Sequence, residues 1–344
     1  MDEELLDSKY KVLRVLGKGA FGQVLLAHDK IANNNVAIKE FYNHEFNEES
    51  IIKEIQFLAT LNHHSIVRFF HHFIYNSSLH IVLEYCPNGS LLDIISQKGK
   101  LDVDTALSYS LKIAETLIFI HKKGIIHSDI KPSNILFNSE EEIKISDFGV
   151  ANSRSVTFIY QPPELFSSQN VSSKDSRIDI YALGITLLET ILGKNPFSRY
   201  ETGEIMSAKI SHSFIPYDLP HWLQEIILKS THPSPDLRFQ IAEEFFNALK
   251  SKSVLYSINK EFIKADKLFA YADKCLSQKR WLKSVNFIKK GVEISRDSVL
   301  GNITAGKYHL KTNNLILAKK YFEKALNLNP GVNIKKRIIG YSFR

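Results

Sequence analysis

β-favouring residues dominate the first 40 positions, and the polar interruptions between them fall where turns would. Tyr10 to Leu16 and Gln23 to His28 read as strands around a glycine-rich turn. Val36-Ala-Ile-Lys39 is a third short strand after the turn-forming Asn33-Asn34-Asn35. Glu48 to Leu61 changes period, with apolar residues at 51, 52, 55, 58 and 61 that predict an amphipathic helix. Strands return at Ile66–Phe73 and Leu79–Glu84. From Leu91 onward the pattern is helical, with long segments near 103–122, 176–192, 221–230 and 239–250. This order predicts an α+β architecture: a small β-rich lobe at about residues 10–85 and a larger helical lobe at about 86–250.

The stretch 258–344 is helical and free of proline until Pro330. A shift of 34 residues aligns it on itself, so that Gly306, Ala318, Phe322 and Ala325 fall opposite Ala272, Ser284, Ile288 and Gly291. Small residues meet small ones and Phe meets Ile, as close packing of helix pairs requires. The order small, Ala, Phe, Ala, Pro resembles the tetratricopeptide repeat, with units at about 265–298 and 299–332. The first unit carries Arg296 where Pro330 closes the second. A generic amphipathic helical tail is the plain alternative. Two repeats are fewer than the roughly three that stand alone, so the array is expected to pack on the helical lobe or on another copy of the chain.

Composition narrows the function classes. The 344 residues are 44% hydrophobic and 24% charged, which fits folded globular protein and excludes a wholly disordered chain. The longest apolar stretch, Ile178 to Leu192, is interrupted by Asp179 and Glu189, so no transmembrane segment is expected. The acidic start, Met1-Asp2-Glu3-Glu4, is unlike an export signal, and position 2 is not the glycine that N-myristoylation needs. Cys86 and Cys275 are the two cysteines, with no metal-binding spacing between them, which points to a reducing compartment and a cytoplasmic location. The net charge of +7 hides a division: residues 1–250 carry 24 Lys and Arg against 31 Asp and Glu, while 251–344 carry 20 against 6. Different surfaces imply different partners.

Three motifs carry candidate chemistry. Gly17-Lys18-Gly19-Ala20-Phe21-Gly22-Gln23-Val24 is G-x-G-x-x-G-x-V, set between two strands with no helix following. Glycines there let a hairpin bring backbone N–H groups against phosphate oxygens, although an ordinary glycine-rich hairpin would read the same in isolation. Lys39 ends an apolar strand and can grip polyphosphate, with Glu54 on the following helix as its carboxylate partner. His127-Ser128-Asp129-Ile130-Lys131-Pro132-Ser133-Asn134 and Asp147-Phe148-Gly149 complete the set.

In this order and spacing the motifs resemble those of the eukaryotic-type Ser/Thr protein kinases, over about residues 10–250. The resemblance implies a two-lobed kinase fold followed by the all-α repeat region, and transfer of phosphate from ATP to Ser and Thr of protein substrates. Asp129 matches the aspartate that takes or orients the proton of the attacking hydroxyl, and Lys131 would neutralise charge on the moving phosphoryl. Asn134 and Asp147 match the Mg²⁺ ligands, with Mn²⁺ as a substitute, and Lys39 would hold the ATP phosphates. Backbone groups of Glu84 and Cys86 would bond adenine, Leu83 would be the gatekeeper, and Leu16, Val24, Ala37 and Leu136 would enclose the ring. For each apolar residue, plain core is the competing reading. The resemblance pairs Glu164 with Arg238 as a brace, and gives Asp179 the role of a buried support for the catalytic loop.

Two departures stand out. Ser128 replaces the arginine of the usual His-Arg-Asp, the residue that receives a phosphate from the activation segment. A hydroxyl has neither the charge nor the fork of a guanidinium, so strong dependence on activation-segment phosphorylation is not expected, although Ser153, Ser155 and Thr157 are available. Gln161-Pro162 also departs from the usual residues before Pro163-Glu164. The basic tail, with Lys264, Lys267, Lys274, Lys279, Arg280, Lys283, Lys289 and Lys290, suits an acidic peptide or protein, and it carries no nucleic-acid reading motif. Many of these lysines read equally well as solvated helix faces. An ATP-binding kinase-fold scaffold acting through the repeats is the alternative function.

Overall fold

The computed structural model describes residues 6–19, 22–42, 55, 59–148, 158–166, 175–216, 218–254, 260–294 and 298–328. The chain divides into two compact units, Met1–Gln161 with Glu189–Asn195, and Pro162–Leu188 with Pro196–Arg344.

Strands β1 (Tyr10–Gly19), β2 (Gly22–Asp29), β3 (Asn34–Phe41), β4 (Phe69–Tyr75) and β5 (Ser78–Glu84) form one antiparallel sheet in the order β1-β2-β3-β5-β4. Alternation assigns its faces. Leu25 and Ala27, Val36 and Ile38, Phe73 and Val82 build one core with Tyr10. Phe41, Ile55 and Ile81 form another cluster, with Leu83 against it. In β3 this puts Ala37 and Lys39 on the face opposite Val36 and Ile38. Register then sets Lys39 beside Val24 on one neighbour and Ile81 on the other. β1 is bulged between Val12 and Arg14 and between Val15 and Gly17, a device that bends a strand beside a site. A Cβ on Gly22 would meet the Glu40 carbonyl oxygen at 2.0 Å, so glycine is obligatory where β2 leaves the turn. The predicted helix around Glu48–Leu61, including Glu54, falls largely outside the described residues.

Helix α1 (Leu91–Lys98) starts at a reciprocal capping box, in which Ser90 and Asp93 each accept the other's backbone N–H. Asp102 caps α2 (Val103–Lys122), accepting the Thr105 N–H at 2.8 Å. The short hairpin β6 (Ile135–Phe137) and β7 (Ile143–Ile145) was not anticipated, because three-residue strands are too brief to show a period. It is tied to the sheet lobe by Val67 N–H to the Ile145 carbonyl at 3.0 Å and Ile145 N–H to the Ser65 carbonyl at 2.8 Å. α3 (Arg177–Leu192) is buried along most of its length, as a helix apolar on all sides must be.

In the second unit, α4 (Thr202–Ser211), α5 (His221–Ser230) and α6 (Ala242–Ser251) follow. α4 was missing from the sequence reading because Lys209 shares its buried face with Ile205 and Ala208. Its ammonium lies 5.4 Å from the Phe197 ring centroid and 5.7 Å from that of Tyr181, and burial pushes its pKa down to about 7. The unfolded chain then binds more protons than the folded one from about pH 7 up to the ordinary lysine range, so stability should rise with pH across that window. Urea midpoints over that interval should have a more positive slope with pH in the wild type than in Lys209→Met; equal slopes would refute the assignment.

Four helices close the described chain: α7 (Lys260–Ser277), α8 (Trp281–Ile294), α9 (Val299–Lys311) and α10 (Leu315–Leu328). α7 packs with α8 and α9 with α10, giving two helix pairs. The small residues sit where the pairs cross: a Cβ on Gly306 would meet the Phe322 ring at 2.6 Å, and one on Gly291 the Phe269 ring at 2.5 Å. Lys307 and Asp273, 34 residues apart, form an ion pair at 3.1 Å. Leu237 joins Ala265, Phe269, Leu300, Ile303 and Phe322 in one core.

Candidate active site

The backbone of the loop after α2 is fixed before its side chains are considered. Ile130 is fully buried, His127 nearly so. Ser128 has φ of 68°, in the left-handed region. His127 Nε2 lies 2.9 Å from the Ser146 carbonyl, and Nδ1 accepts the Asp129 N–H at 3.3 Å. A carbonyl can only accept, so Nε2 carries the proton and Nδ1 is the acceptor. One imidazole thus couples the loop bearing Asp129 to the loop bearing Asp147.

Asp129 is held asymmetrically. Its Oδ2 is 2.7 Å from Lys131 Nζ and accepts from Asn134 Nδ2 at 3.0 Å. The same Asn134 nitrogen donates to the Asp129 carbonyl at 2.9 Å. Oδ1 is buried with no hydrogen-bond partner among the described residues. The carboxylate is thus oriented through one of its two oxygens.

Across the site, Lys39 Nζ donates to Asp147 Oδ1 at 2.8 Å. The Lys39 ammonium is the main influence holding the Asp147 carboxyl below the ordinary aspartate range, against burial that raises it. Asp147 also adopts a left-handed φ of 57°. Phe148 secures that turn: it is buried, with its ring 4.6 Å from the His127 ring between centroids. Non-glycine residues held there store roughly 1–3 kcal/mol and cluster at functional sites.

A cavity of about 580 Å³ opens beside this pair. Leu16, Gly17, Val24, Ala37, Lys39, Leu83, Glu84, Cys86, Leu136 and Asp147 all line it. Lys18, Gly19 and Gly22 belong to β1 and β2 but do not contribute to its wall, and Ala20, Phe21 and Glu54 lie outside the described residues. The wall includes residues the sequence reading did not select, among them Arg14, Val67, Ser90 and Asp93. Ser-x-x-Asp at positions 90–93 is a legible helix-start signal, and it would have located a carboxylate at the cavity mouth. The Glu84 carboxylate engages Lys144 at 3.2 Å and the Arg68 N–H at 3.1 Å, and the Glu84 N–H donates to the Arg68 carbonyl at 2.8 Å.

The family model for the protein kinase domain matches residues 10–287. The chain belongs to the protein kinase family. A probable serine/threonine-protein kinase of Clostridium perfringens is 31% identical over 264 residues, covering 72% of this chain and 38% of that protein. An Aurora kinase of Yarrowia lipolytica is 35% identical over 200 residues, covering 55% of this chain and 53% of its own length. Mouse Aurora kinase C is 29% identical over 247 residues, 68% of this chain and 88% of the relative. The chain thus spans about two-fifths of the clostridial protein and half of the yeast one. Membership implies ATP and a divalent cation. Among the described residues no helix is long and apolar enough to cross a membrane.

Cys86, buried in the cavity of this kinase, has its thiol pushed up to about 12, mainly by burial and further by the nearby Glu84 charge. Only the thiolate is nucleophilic, so iodoacetamide at neutral pH should label the half-exposed Cys275 well before Cys86. Peptide mapping after a short exposure checks this, and early modification of Cys86 would refute it.

Proposed function

We propose that this kinase transfers the γ-phosphate of MgATP to Ser and Thr hydroxyls of protein substrates. The observation that carries this reading is the Asp129 carboxylate, whose Oδ2 is fixed by Lys131 and Asn134 while Oδ1 has no hydrogen-bond partner among the described residues. In the proposed roles, Asp129 orients and accepts the hydroxyl proton, Lys131 neutralises charge on the phosphoryl, and Lys39 holds phosphate oxygens, with Glu54 as its partner. Leu16, Val24, Ala37, Leu83, Glu84, Cys86 and Leu136 form the adenine pocket, and the glycine loop covers the phosphates. Phosphoryl transfer asks little covalent work of a protein, and positioning with electrostatic stabilisation supplies most of the rate.

The donor set fits a hard divalent cation. Asp147 offers a carboxylate, and Asn134 spends its amide nitrogen on Asp129, leaving its carbonyl oxygen as the end available to a cation. Oxygen ligands few in number suit Mg²⁺, which retains waters and phosphate oxygens. When bound, the cation neutralises charge on the phosphates.

The proposed parse is a kinase domain at 10–250, with Asp179 supporting its catalytic loop, and a tetratricopeptide-like module at 258–344. A cavity of about 280 Å³ in that helical region is lined by Asn302, Lys320, Tyr321 and Lys324 over Phe269 and Val292. Its basic rim supports docking of an acidic peptide.

The test is MgATP-dependent phosphorylation of a basic protein and of the kinase itself, with phosphoamino-acid analysis. Phosphoserine and phosphothreonine are expected. ATP binding without transfer would favour the scaffold reading instead. Because Ser128 stands where an arginine would receive a phosphate, initial rates should change less than about threefold after phosphatase treatment. A large loss would overturn that expectation.

A further inference from the structure

Ser128 is where the catalytic loop departs from the family pattern, and it is also where the loop is most constrained. Its φ of 68° is one that L-residues hold only when their surroundings enforce it. The peptide unit joining Ser128 to Asp129 is gripped at both ends. Its N–H donates to His127 Nδ1 at 3.3 Å, and its carbonyl accepts from Gln161 Nε2 at 2.8 Å. Since a carbonyl cannot donate, the nitrogen of the Gln161 amide must be the end that faces it. Gln161 is only 2% exposed, so water does not compete effectively for this bond.

Gln161 is carried on an anchored segment. The neighbouring Tyr160 donates its phenolic proton to Glu189 Oε2 at 2.7 Å, and Asn195 Nδ2 donates to the same oxygen at 3.0 Å. Tyr160 and Glu189 are both buried. The Gln161 N–H itself donates to the Phe158 carbonyl at 3.3 Å. A fixed amide therefore reaches from the end of the activation segment to the peptide that aims Asp129.

We propose that Gln161 is a positioning residue. Its amide holds the 128–129 peptide in the left-handed turn, and so links activation segment to catalytic loop through a neutral side chain, where an arginine–phosphate pair would otherwise be needed. This rests on the catalytic reading of Asp129. It also gives the expected insensitivity to phosphatase a structural basis: the brace contains no group that phosphorylation creates.

The experiment compares Gln161→Met, unbranched and of similar length but without a donor, with the wild type, each alone and in a Ser128→Gly background. Glycine occupies the left-handed region without support. Gln161→Met should lower kcat by about tenfold, the factor that a loss of about 1.4 kcal/mol in alignment produces, while the KM for ATP moves less than about threefold. In the Ser128→Gly background the same change should cost less than about threefold. Hydrogen exchange of peptides spanning 126–132 is read in parallel and should be faster in Gln161→Met. A kcat within twofold of the wild type, an undiminished cost in the glycine background, or a loss that tracks a general fall in melting temperature would overturn the proposal. If the wild type transfers no phosphate, the catalytic reading fails, and exchange alone decides the brace: unchanged protection of 126–132 rules it out, and faster exchange supports it.

Discussion

Asp129→Asn should lower phosphoryl transfer by about 10²- to 10⁴-fold, the range spanned by a positioned general base, while ATP affinity changes little. The asymmetry of the site explains both halves of that result. Asparagine preserves the shape of the side chain, so the Ile130 anchor and the turn at Ser128 have no reason to move. It replaces a carboxylate oxygen by an amide nitrogen, and neither arrangement of the amide reproduces the wild type. With the nitrogen toward Lys131, two donors face each other in place of the 2.7 Å ion pair. With the nitrogen at the Oδ1 position, the group that should accept the hydroxyl proton becomes a donor. Asp129 does not line the cavity, whose cationic side chains are Lys39 and Arg14, so KM for ATP should hold within a few-fold. Rates with a basic protein substrate and titration with a fluorescent ATP analogue separate the two effects. A variant that retains more than about a tenth of wild-type kcat would remove Asp129 from the proton-accepting role.

What was legible beforehand divides along physical lines. β3 was readable because Val36 and Ile38 alternate with Ala37 and Lys39, and a strand buried on one face has little freedom of register. The helices at the end of the chain were readable because close crossing demands small residues, and the 34-residue shift pairs Gly306 with Ala272 and Ala325 with Gly291, the two glycines lying against Phe322 and Phe269. α4 was hidden because a lysine occupies its buried face, a placement that pattern reasoning reads as solvent. The candidate catalytic side chains are legible through their spacing. Their supports are not: the amide of Gln161 reaches Ser128 from 33 positions away, and His127 reaches the Ser146 carbonyl from 19. Such bonds exist only once the chain has folded back, and nothing local encodes them.

The largest stability effect is expected from Arg238→Met. The Arg238 guanidinium is wholly buried and donates through both terminal nitrogens to the two Glu164 oxygens at 2.6 Å. Its Nε donates to the His232 carbonyl, also at 2.6 Å, and its plane lies 4.9 Å from the Tyr181 ring centroid. Methionine fills much of the space but removes the bidentate partner of the nearly buried Glu164 carboxylate. Breaking one side of such a pair costs about 3–5 kcal/mol, because the remaining charge has lost its solvation and gained nothing. For a unit of this size that is a fall in melting temperature of roughly 6–20 °C. The double variant Glu164→Leu with Arg238→Met should recover a substantial part of the loss, since the nearly buried charge is then gone. Differential scanning calorimetry of the wild type, Arg238→Met, Glu164→Leu and the double variant measures the coupling directly. A drop of less than about 3 °C in Arg238→Met, or a double variant as unstable as the single one, would mean that the bidentate pair is not what holds this part of the fold.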